Sequence, residues 1–319
     1  LFARSAKQHW SRFAMADSTG KSLTYGRALT GALLLRHQLR RELRDDPEAV
    51  GVFLPPSVGG ALVNLALAMQ FRVAVNLNYT ASAAAIRSAM QQTGLRTLLT
   101  SRKVLEKFPD FPQPERVIFV EDLAESIRPV RKLLTLAAAR LLPAPLLVCD
   151  RHWQPEAPLT ILFSSGSTAD PKGVMLTHHN ILSNIDGFSV VARPQPDDCL
   201  CAVLPFFHSM GYTTTLWFPL TRGIGVAYHH HPLETDAIGR IAKDHKATIL
   251  VGTPTFLMAW VRKIDPESFR HLRWVCVGAE KLRPKLCDLF EKRYGIRPLE
   301  GYGATECSPV IDVNVPDVS

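Results

Sequence analysis

A loop rich in small polar residues follows a short apolar segment near the middle of the chain. It reads Phe163-Ser-Ser-Gly-Ser-Thr-Ala-Asp-Pro-Lys-Gly173. Small residues let backbone N–H groups approach an anion closely, and the hydroxyl groups and one lysine add hydrogen-bond donors and positive charge. The residues expected to bind the β- and γ-phosphates of ATP are Ser164, Ser165, Gly166, Ser167, Thr168 and Lys172.

The spacing in this loop differs from that of P-loop nucleoside triphosphatases. A P-loop needs Gly-x4-Gly-Lys followed by Ser or Thr, whereas Pro171 precedes Lys172 and Gly173 follows it. The hydroxyl that would bind magnesium is therefore missing. An ordinary polar turn would explain the serines and glycines, but it does not explain the Pro-Lys-Gly ending before the strand-like segment 174–176.

The loop resembles the phosphate-binding signature of the adenylate-forming superfamily, which includes acyl- and aryl-CoA synthetases, luciferases and peptide-synthetase adenylation domains. That signature has Ser or Thr at the positions of Ser164, Ser165, Ser167 and Thr168, and it ends in Pro-Lys-Gly. Ala169 departs from the family, which usually has glycine there. Alanine is expected to stiffen the loop or alter its turn.

Two further segments resemble elements of this family, in the right order. In Leu204-Pro-Phe-Phe-His-Ser-Met-Gly211, the resemblance places His208 near the substrate carboxylate, at the mouth of an acyl pocket. A histidine beside aromatic residues is otherwise often only packed. Val277-Gly-Ala-Glu-Lys-Leu282 resembles the adenine-side loop, in which Gly278, Ala279 and Glu280 would contact the nucleotide. Glu280 and Lys281 could equally face solvent.

The segment Glu300-Gly-Tyr-Gly-Ala-Thr-Glu-Cys-Ser-Pro309 completes the resemblance. Tyr302, between Gly301 and Gly303, would present its ring to the adenine. Thr305 would bond a phosphate oxygen, and Glu306 would hold Mg²⁺ against the ATP phosphates. Within the superfamily, segments 251–256, 278–282 and 299–310 look most like bacterial acyl-carrier-protein synthetases, which are often fused to a 2-acylglycerophosphoethanolamine acyltransferase.

The resemblance implies two half-reactions. A carboxylic acid, here expected to be a long-chain fatty acid, attacks the α-phosphate of Mg-ATP and gives an acyl-adenylate. A thiol of coenzyme A or of an acyl carrier protein then takes the acyl group. Charge on the reacting phosphorus needs cations and oriented donors, and the expected catalytic residues are Lys172, His208, Thr305 and Glu306. Candidate walls of the acyl pocket are His208, Tyr212, Trp217 and Phe218, although the last three could be plain core.

The family places a ribose-binding aspartate, a hinge and a mobile C-terminal domain with a catalytic lysine after the Thr-Glu motif. We expect these parts to be absent, so the chain alone should bind nucleotide weakly and should not adenylate at a normal rate. Two alternatives stay open. One is a non-catalytic nucleotide- or acyl-binding module, and the other is an amino-acid-activating adenylation domain. The second would need an acid near the substrate amine, and segment 205–218 contains none.

The elements around these motifs predict an α/β fold with mainly parallel sheets. It corresponds to the large N-terminal domain of an adenylate-forming enzyme, built from two layered αβα subdomains. Prolines near 143–158 mark the expected boundary, so the subdomains are predicted over residues 1–150 and 151–319. Apolar strands are predicted near 50–54, 73–77, 97–100, 159–163, 199–204, 247–251 and 274–277, and helices near 26–43, 58–70, 82–94, 179–191, 212–220 and 284–294.

The composition suits a cytoplasmic protein with anionic partners. Of the 319 residues 46% are hydrophobic, enough for a substantial core, and the formal net charge is +8. Zinc-finger spacing, an aromatic RNA-binding signature and long basic runs are missing, so no nucleic-acid partner is predicted. The six cysteines form no Cys-x-x-Cys pair, which indicates buried, reduced thiols.

A leucine-rich basic helix is predicted over residues 127–142, ending at Pro143. It could pack on its subdomain as a surface helix. Alternatively, it could make a peripheral contact with an anionic membrane, which would place the protein at the inner face of the bacterial plasma membrane. No apolar stretch reaches the roughly 20 residues that a membrane-spanning helix needs.

Overall fold

The computed structural model describes residues 1–148, 154–164 and 171–315. Strands and helices alternate through these ranges, as the sequence predicts. The strands are β1 (Phe13–Asp17), β2 (Ser22–Thr24), β3 (Ala49–Phe53), β4 (Val73–Asn76), β5 (Thr97–Thr100), β6 (Arg116–Phe119), β7 (Pro158–Ser164), β8 (Lys172–Thr177), β9 (Cys199–Ala202), β10 (Gly225–Tyr228), β11 (Ile249–Gly252), β12 (Trp274–Val277), β13 (Leu299–Gly303) and β14 (Val310–Val313).

The α-helices in the same ranges are α1 (Phe2–Gln8), α2 (Tyr25–Glu42), α3 (Val58–Ala68), α4 (Ala83–Thr93), α5 (Arg102–Leu105), α6 (Val120–Glu125), α7 (Pro129–Leu141), α8 (Ala144–Val148), α9 (His178–Ala192), α10 (Phe218–Arg222), α11 (Thr235–Asp244), α12 (Pro254–Lys263) and α13 (Pro284–Tyr294). A π-helical segment, Gly211–Trp217, leads into α10, and 3₁₀ turns form at Pro266–Phe269 and Thr305–Cys307. No helix of the described ranges is long and apolar enough to cross a membrane.

The strands form two mainly parallel sheets, which confirms the predicted fold class. The larger has the order β14-β13-β12-β11-β9-β10-β1-β2, and the smaller has the order β6-β5-β3-β4-β7-β8. Antiparallel pairing occurs at both edges of the larger sheet and between β7 and β8 at one edge of the smaller. The parallel interior strands are buried on both faces, since helices cover each side.

Sheet membership does not follow the predicted division at residue 150. Strand β1, near the start of the chain, pairs with β10 in the larger sheet, and β2 pairs with β1 at its edge. Strands β7 and β8, beyond residue 150, complete the smaller sheet through β4. One core cluster joins side chains of both sheets with those of α2, α3 and α9. Each half of the chain thus contributes strands to the sheet of the other half, and this depends on strand pairing, which the local sequence does not specify.

Local signals explain where several helices begin and end. Thr177 caps α9 with a capping box, in which its side chain accepts from the amide of Asn180 and the Asn180 side chain accepts from the amide of Thr177. Ser82 caps α4, and Gly94 ends it in a left-handed conformation that glycine adopts without strain. The predicted bounds of these helices are therefore confirmed within one or two residues.

Candidate active site

A cleft of about 720 Å³ opens at the carboxyl ends of β9, β11, β12 and β13. In parallel sheets these ends lie on one edge, where ligands usually bind. Its wall includes residues 204–205 and 207–211 after β9, Thr253 after β11, residues 278–280 after β12, and residues 302–305 at the end of β13 and in the turn that follows. The topology therefore brings together four segments that are spread over about a hundred residues of the sequence.

The predicted adenine-side loop passes close to its neighbours. A Cβ added at Gly278 would lie 3.1 Å from Sδ of Met210 and 3.2 Å from the carbonyl oxygen of Gly301, so glycine lets this loop pack closely against both residues. Ala279 adopts a left-handed conformation with φ of 68°. Glu280 does not simply face solvent, because its Oε2 accepts a 2.6 Å hydrogen bond from the Thr255 hydroxyl. This bond ties the loop to α12.

Tyr302 stands on β13 with its side chain 69% exposed, at the wall of the cleft. Gly301 and Gly303 flank it on both sides. A Cβ added at Gly303 would lie only 2.2 Å from the carbonyl oxygen of Pro309, so this crossing of two backbones requires glycine. The Tyr302 ring is consequently free to contact a planar group.

Thr305 and Glu306 lie in the 3₁₀ turn after β13. The Ser209 hydroxyl donates to Oγ1 of Thr305 at 3.4 Å, which joins this turn to the His208 loop. Thr305 lines the cleft, and Glu306 is exposed beside it. Strand β8, which begins at Lys172, packs against the same turn.

Asn184 of α9 clamps the chain after this turn, and sequence reasoning missed it. Its Nδ2 donates to the carbonyl oxygens of Val310 (2.7 Å) and Cys307 (3.1 Å), and its Oδ1 accepts from the amide of Val310 (3.2 Å). A single Asn within a helix carries no signal for contacts 123 and 126 residues away. The clamp connects α9, which follows β8, to the loop that carries Thr305 and Glu306.

His208 projects into the cleft from a tight turn after β9. A Cβ added at Gly211 would lie 2.1 Å from the carbonyl oxygen of Pro205, which explains the glycine three residues after the histidine. Desolvation by the surrounding walls lowers the pKa of His208 from its usual value. The imidazole is therefore neutral at neutral pH and can accept or donate a hydrogen bond.

The inner part of the cleft is apolar, and only part of its wall matches the prediction. Two of the candidate wall residues, Phe218 and His208, line it. Tyr212 and Trp217 lie instead in the core beneath, 0% and 6% exposed, because the π-helical segment Gly211–Trp217 is buried along its whole length. The apolar wall is formed by Phe188, Leu204, Phe218, Val251, Trp274 and Cys276.

Several lining residues carry weak sequence signals. Trp274 and Cys276 face the cleft while Val275 and Val277 face the opposite core cluster, so the period-2 alternation of β12 could have identified them. His230 and His231 line the cleft directly after β10. Burial lowers the pKa of His230, so its ring is neutral at neutral pH.

The phosphate loop is only partly within the described ranges. Ser164 ends β7 and pairs with Lys172 at the start of β8. Ser165, Gly166, Ser167 and Thr168 lie outside the described residues. The described cleft wall does not include Lys172, whose side chain is exposed.

The acidic residues fit a metal ion that arrives with its ligand. The described ranges contain no group of three or more His, Cys, Asp or Glu that could hold a metal ion. Magnesium usually binds through one or two carboxylates and substrate phosphates rather than a full protein cage. The single carboxylate of Glu306 would be enough for such a site.

Comparisons with known proteins agree with this geometry. The model of the AMP-binding enzyme family matches residues 2–319. The chain is 26% identical over 311 residues to sulfoacetate--CoA ligase of Cupriavidus necator, which covers 96% of this chain and 59% of that protein. It is 28% identical over 229 residues to long-chain-fatty-acid--CoA ligase of Bacillus subtilis, which covers 68% of this chain and 39% of that protein.

Solved structures share the fold over nearly the whole chain. The anthranilate CoA ligase AuaEII in complex with anthranoyl-AMP has a TM-score of 0.81 at 19% identity, covering 99% of this chain and 60% of that one. Apo MatB from Rhodopseudomonas palustris has a TM-score of 0.79 at 20% identity, covering 100% of this chain and 62% of that one.

The family-model match and the fold place this α/β chain in the adenylate-forming superfamily. The chain belongs to the AMP-binding enzyme family. It spans 59% or less of the length of the curated relatives cited here.

Proposed function

We propose that the protein containing this chain uses Mg-ATP to convert a carboxylic acid to an acyl-adenylate and then transfers the acyl group to a thiol. The observation that carries the proposal is the cleft. It places the 278–280 loop, Tyr302, Thr305 and His208 around one space at the carboxyl edge of a parallel sheet. The relatives named as CoA ligases support the same class of reaction.

In this proposal each side of the cleft has a distinct role. Adenine lies between the Gly278-Ala279 backbone and the Tyr302 ring, where a flat group can approach closely. Thr305 donates to a phosphate oxygen, and the carboxylate of Glu306 holds Mg²⁺ on the phosphates. Lys172, from the adjacent β8, and the hydroxyl loop before it neutralise the β- and γ-phosphates. None of these residues acts as a nucleophile, because charge stabilisation and positioning suffice for attack by the acid.

The acid lies against the apolar wall, with its carboxylate toward His208. A neutral imidazole can donate one hydrogen bond to the carboxylate without neutralising its negative charge, so the carboxylate stays nucleophilic. Phe188, Phe218 and Trp274 offer this acid an apolar surface, which favours an alkyl or aryl group over a small charged one. A long-chain fatty acid, an acyl carrier protein as alternative acceptor to coenzyme A, and a cytoplasmic site of action are the finer parts of the proposal.

Nucleotide binding tests the assigned roles. We expect Glu306→Gln to weaken Mg-ATP binding by calorimetry by at least about ten-fold, and to leave AMP binding without metal within about two-fold, since AMP lacks the β- and γ-phosphates. Glu115→Gln, at an exposed carboxylate before β6, is the matched control and should change neither affinity. Equal losses for Mg-ATP and AMP would show that Glu306 supports the loop and does not hold the metal.

Acid activation is tested with the full-length protein. Hydroxylamine traps acyl-adenylates as hydroxamates, so acids from acetate to stearate, benzoate and several amino acids can be compared in one assay. We expect hydroxamate formation to depend on ATP and magnesium and to rise with apolar chain length. ATP binding without any hydroxamate would favour a binding module, and activity confined to amino acids would favour an adenylation domain of the other class.

A further inference from the structure

Helix α7 contacts the rest of the molecule through a narrow face. Ala139 is fully buried, and Thr135 and Ala138 are half-buried where the helix lies on α2. Lys7 holds the same end, because its Nζ donates to the carbonyl oxygens of Ala139 (3.0 Å) and Arg140 (2.9 Å). Small residues form the packed face, so most of the circumference faces outward.

The outward side of α7 is apolar and has helical spacing. Its members, the outer stripe, are Val130, Leu133, Leu134, Ala137 and Leu141. At about 100° per residue they fall within an arc of about 100°, almost opposite Ala139. Val130, Leu133, Leu134 and Leu141 are between 60% and 78% exposed. A helix whose apolar face points away from its own protein differs from an ordinary surface helix, whose apolar face is turned inward.

The patch continues beyond the helix. Leu142 is 42% exposed, and Leu146 on α8 is 69% exposed. Scattered exposed leucines need no explanation, but a contiguous apolar patch of this kind marks a site of interaction.

The charges around the outer stripe indicate which partner fits. Residues 126–148 contain Arg128, Arg131, Lys132 and Arg140 and no Asp or Glu. Arg40 and Arg41 of α2 lie close to Arg131, because all three are near His37. Burial has the largest effect in lowering the pKa of His37, and the charges of these three arginines lower it further. Pairing of two copies through α7 would bring these like charges together, at a cost in free energy. An apolar stripe bordered by cations instead matches an anionic lipid surface.

We propose that the outer stripe of α7 binds the surface of a bilayer that contains anionic phospholipids. The helix lies in the plane of the headgroups, with its leucines among the upper acyl chains. Arg131 and Arg140, which flank the outer stripe on its two sides at about 100° per residue, lie near the phosphates. Thirteen residues form this helix, so it rests on the membrane and does not cross it. Membrane contact requires no acid activation, and the two proposals can therefore fail separately.

Vesicle flotation tests the contact with the chain as it is. The probes are vesicles of phosphatidylcholine alone and of phosphatidylcholine mixed with phosphatidylglycerol. We expect binding to the mixed vesicles, and at least about ten-fold weaker binding by the triple variant Leu133→Gln, Leu134→Gln, Leu141→Gln. Replacing Arg131 and Arg140 by Gln should weaken binding to the mixed vesicles at least about five-fold and reduce its salt dependence.

A matched control makes the same three polar changes elsewhere. Met175→Gln, Val190→Gln and Leu289→Gln alter residues that are 58%, 72% and 46% exposed and lie outside α7. This variant should bind vesicles like the unchanged chain, and thermal unfolding should show that all variants are folded. Absence of binding by the unchanged chain, or equal loss in both leucine and control variants, would overturn the proposal. Self-association that the leucine variant abolishes, without vesicle binding, would assign the stripe to a second copy.

Discussion

The cleft and helix α7 both present apolar side chains to the outside, but they do so with opposite curvature. In the cleft, Phe188, Phe218 and Trp274 surround a concave space together with polar groups held by hydrogen bonds. On α7, the leucines stand on a convex surface, where the nearest polar groups are flexible cations. A concave apolar wall can enclose a small molecule, whereas a convex stripe can bury its surface only against something larger than itself.

The two regions also differ in how firmly they are built. The cleft lies at the carboxyl ends of parallel strands. At the amino ends of β9, β11 and β12, hydrogen bonds join Asp198 to Thr248 and Arg273. The cleft loops pass so close to other backbone segments that Gly211 and Gly303 have no room for a side chain. Helix α7 rests on a few small residues, and its outer stripe contributes little to folding. Substitutions should therefore be costly in the sheet beneath the cleft and nearly free on the stripe, and three predictions test this difference.

The largest effect is expected for Asp198→Asn. Asp198 is 4% exposed and precedes β9, where its carboxylate accepts from Arg273 Nε (2.7 Å), from the Thr248 hydroxyl (2.6 Å) and from the amide of Gln195 (2.6 Å). We expect the free energy of unfolding at pH 7 to fall by about 2–4 kcal/mol, because the buried carboxylate is replaced by an amide that cannot keep all three hydrogen bonds or the ion pair with Arg273. Urea denaturation measures the change.

The pH dependence of this effect has a definite sign. Burial acts to raise the pKa of Asp198, but the hydrogen bonds from Arg273, Thr248 and the Gln195 amide outweigh it, so the pKa is lowered. The carboxylate therefore stabilises the fold above the unfolded pKa of about 4, and this stability is lost as pH falls through the folded-state pKa. The difference in unfolding free energy between the unchanged chain and Asp198→Asn should therefore become smaller at acidic pH. Asp197→Asn, whose side chain is fully exposed, should cost less than about 0.5 kcal/mol; a gap unchanged by pH would contradict the assignment.

A smaller effect is expected for Gly211→Ala. The added Cβ would meet the backbone oxygen of Pro205 at 2.1 Å, so the His208 turn has to shift, and stability should fall by about 1–3 kcal/mol. Gly187→Ala in α9 is the control, since nothing lies within 4 Å of its Cβ. That change should raise stability by up to about 1 kcal/mol because alanine favours a helix. Similar urea midpoints for the two variants would show that the turn is not tightly packed.

The smallest effect is expected on the outer stripe. Leu134→Gln changes a residue that is 60% exposed, and stability should stay within about 0.5 kcal/mol. Leu29→Gln in α2, where the leucine is fully buried, should cost about 2–4 kcal/mol because a polar amide enters the core. If Leu134→Gln is as costly as Leu29→Gln by thermal unfolding, the stripe is packed in solution and the contrast with the cleft does not hold.

Local sequence was enough for the secondary structure and for the nucleotide motifs. Caps such as Thr177 and Ser82, the buried apolar strands and the glycines around Tyr302 act over a few residues, so their effects can be read along the chain. The structure confirms the predicted strands and helices around both sheets. The roles assigned to Lys172, His208, Thr305 and Glu306 rest on the same motifs and stay predictions that the nucleotide experiments test.

Other features depend on contacts between distant segments, and only the tertiary structure decided them. The pairing of β1 with β10 and of β7 with β4 exchanged strands across the expected boundary, and Asn184 reached a turn more than a hundred residues away. Tyr212 and Trp217 lie in the core, although aromatic side chains such as theirs suit a pocket wall as well as a protein interior. For α7 the sequence determined an amphipathic basic helix. Which of its faces points outward was settled by the small residues that pack on α2, because an apolar stripe alone does not specify whether protein or lipid will cover it.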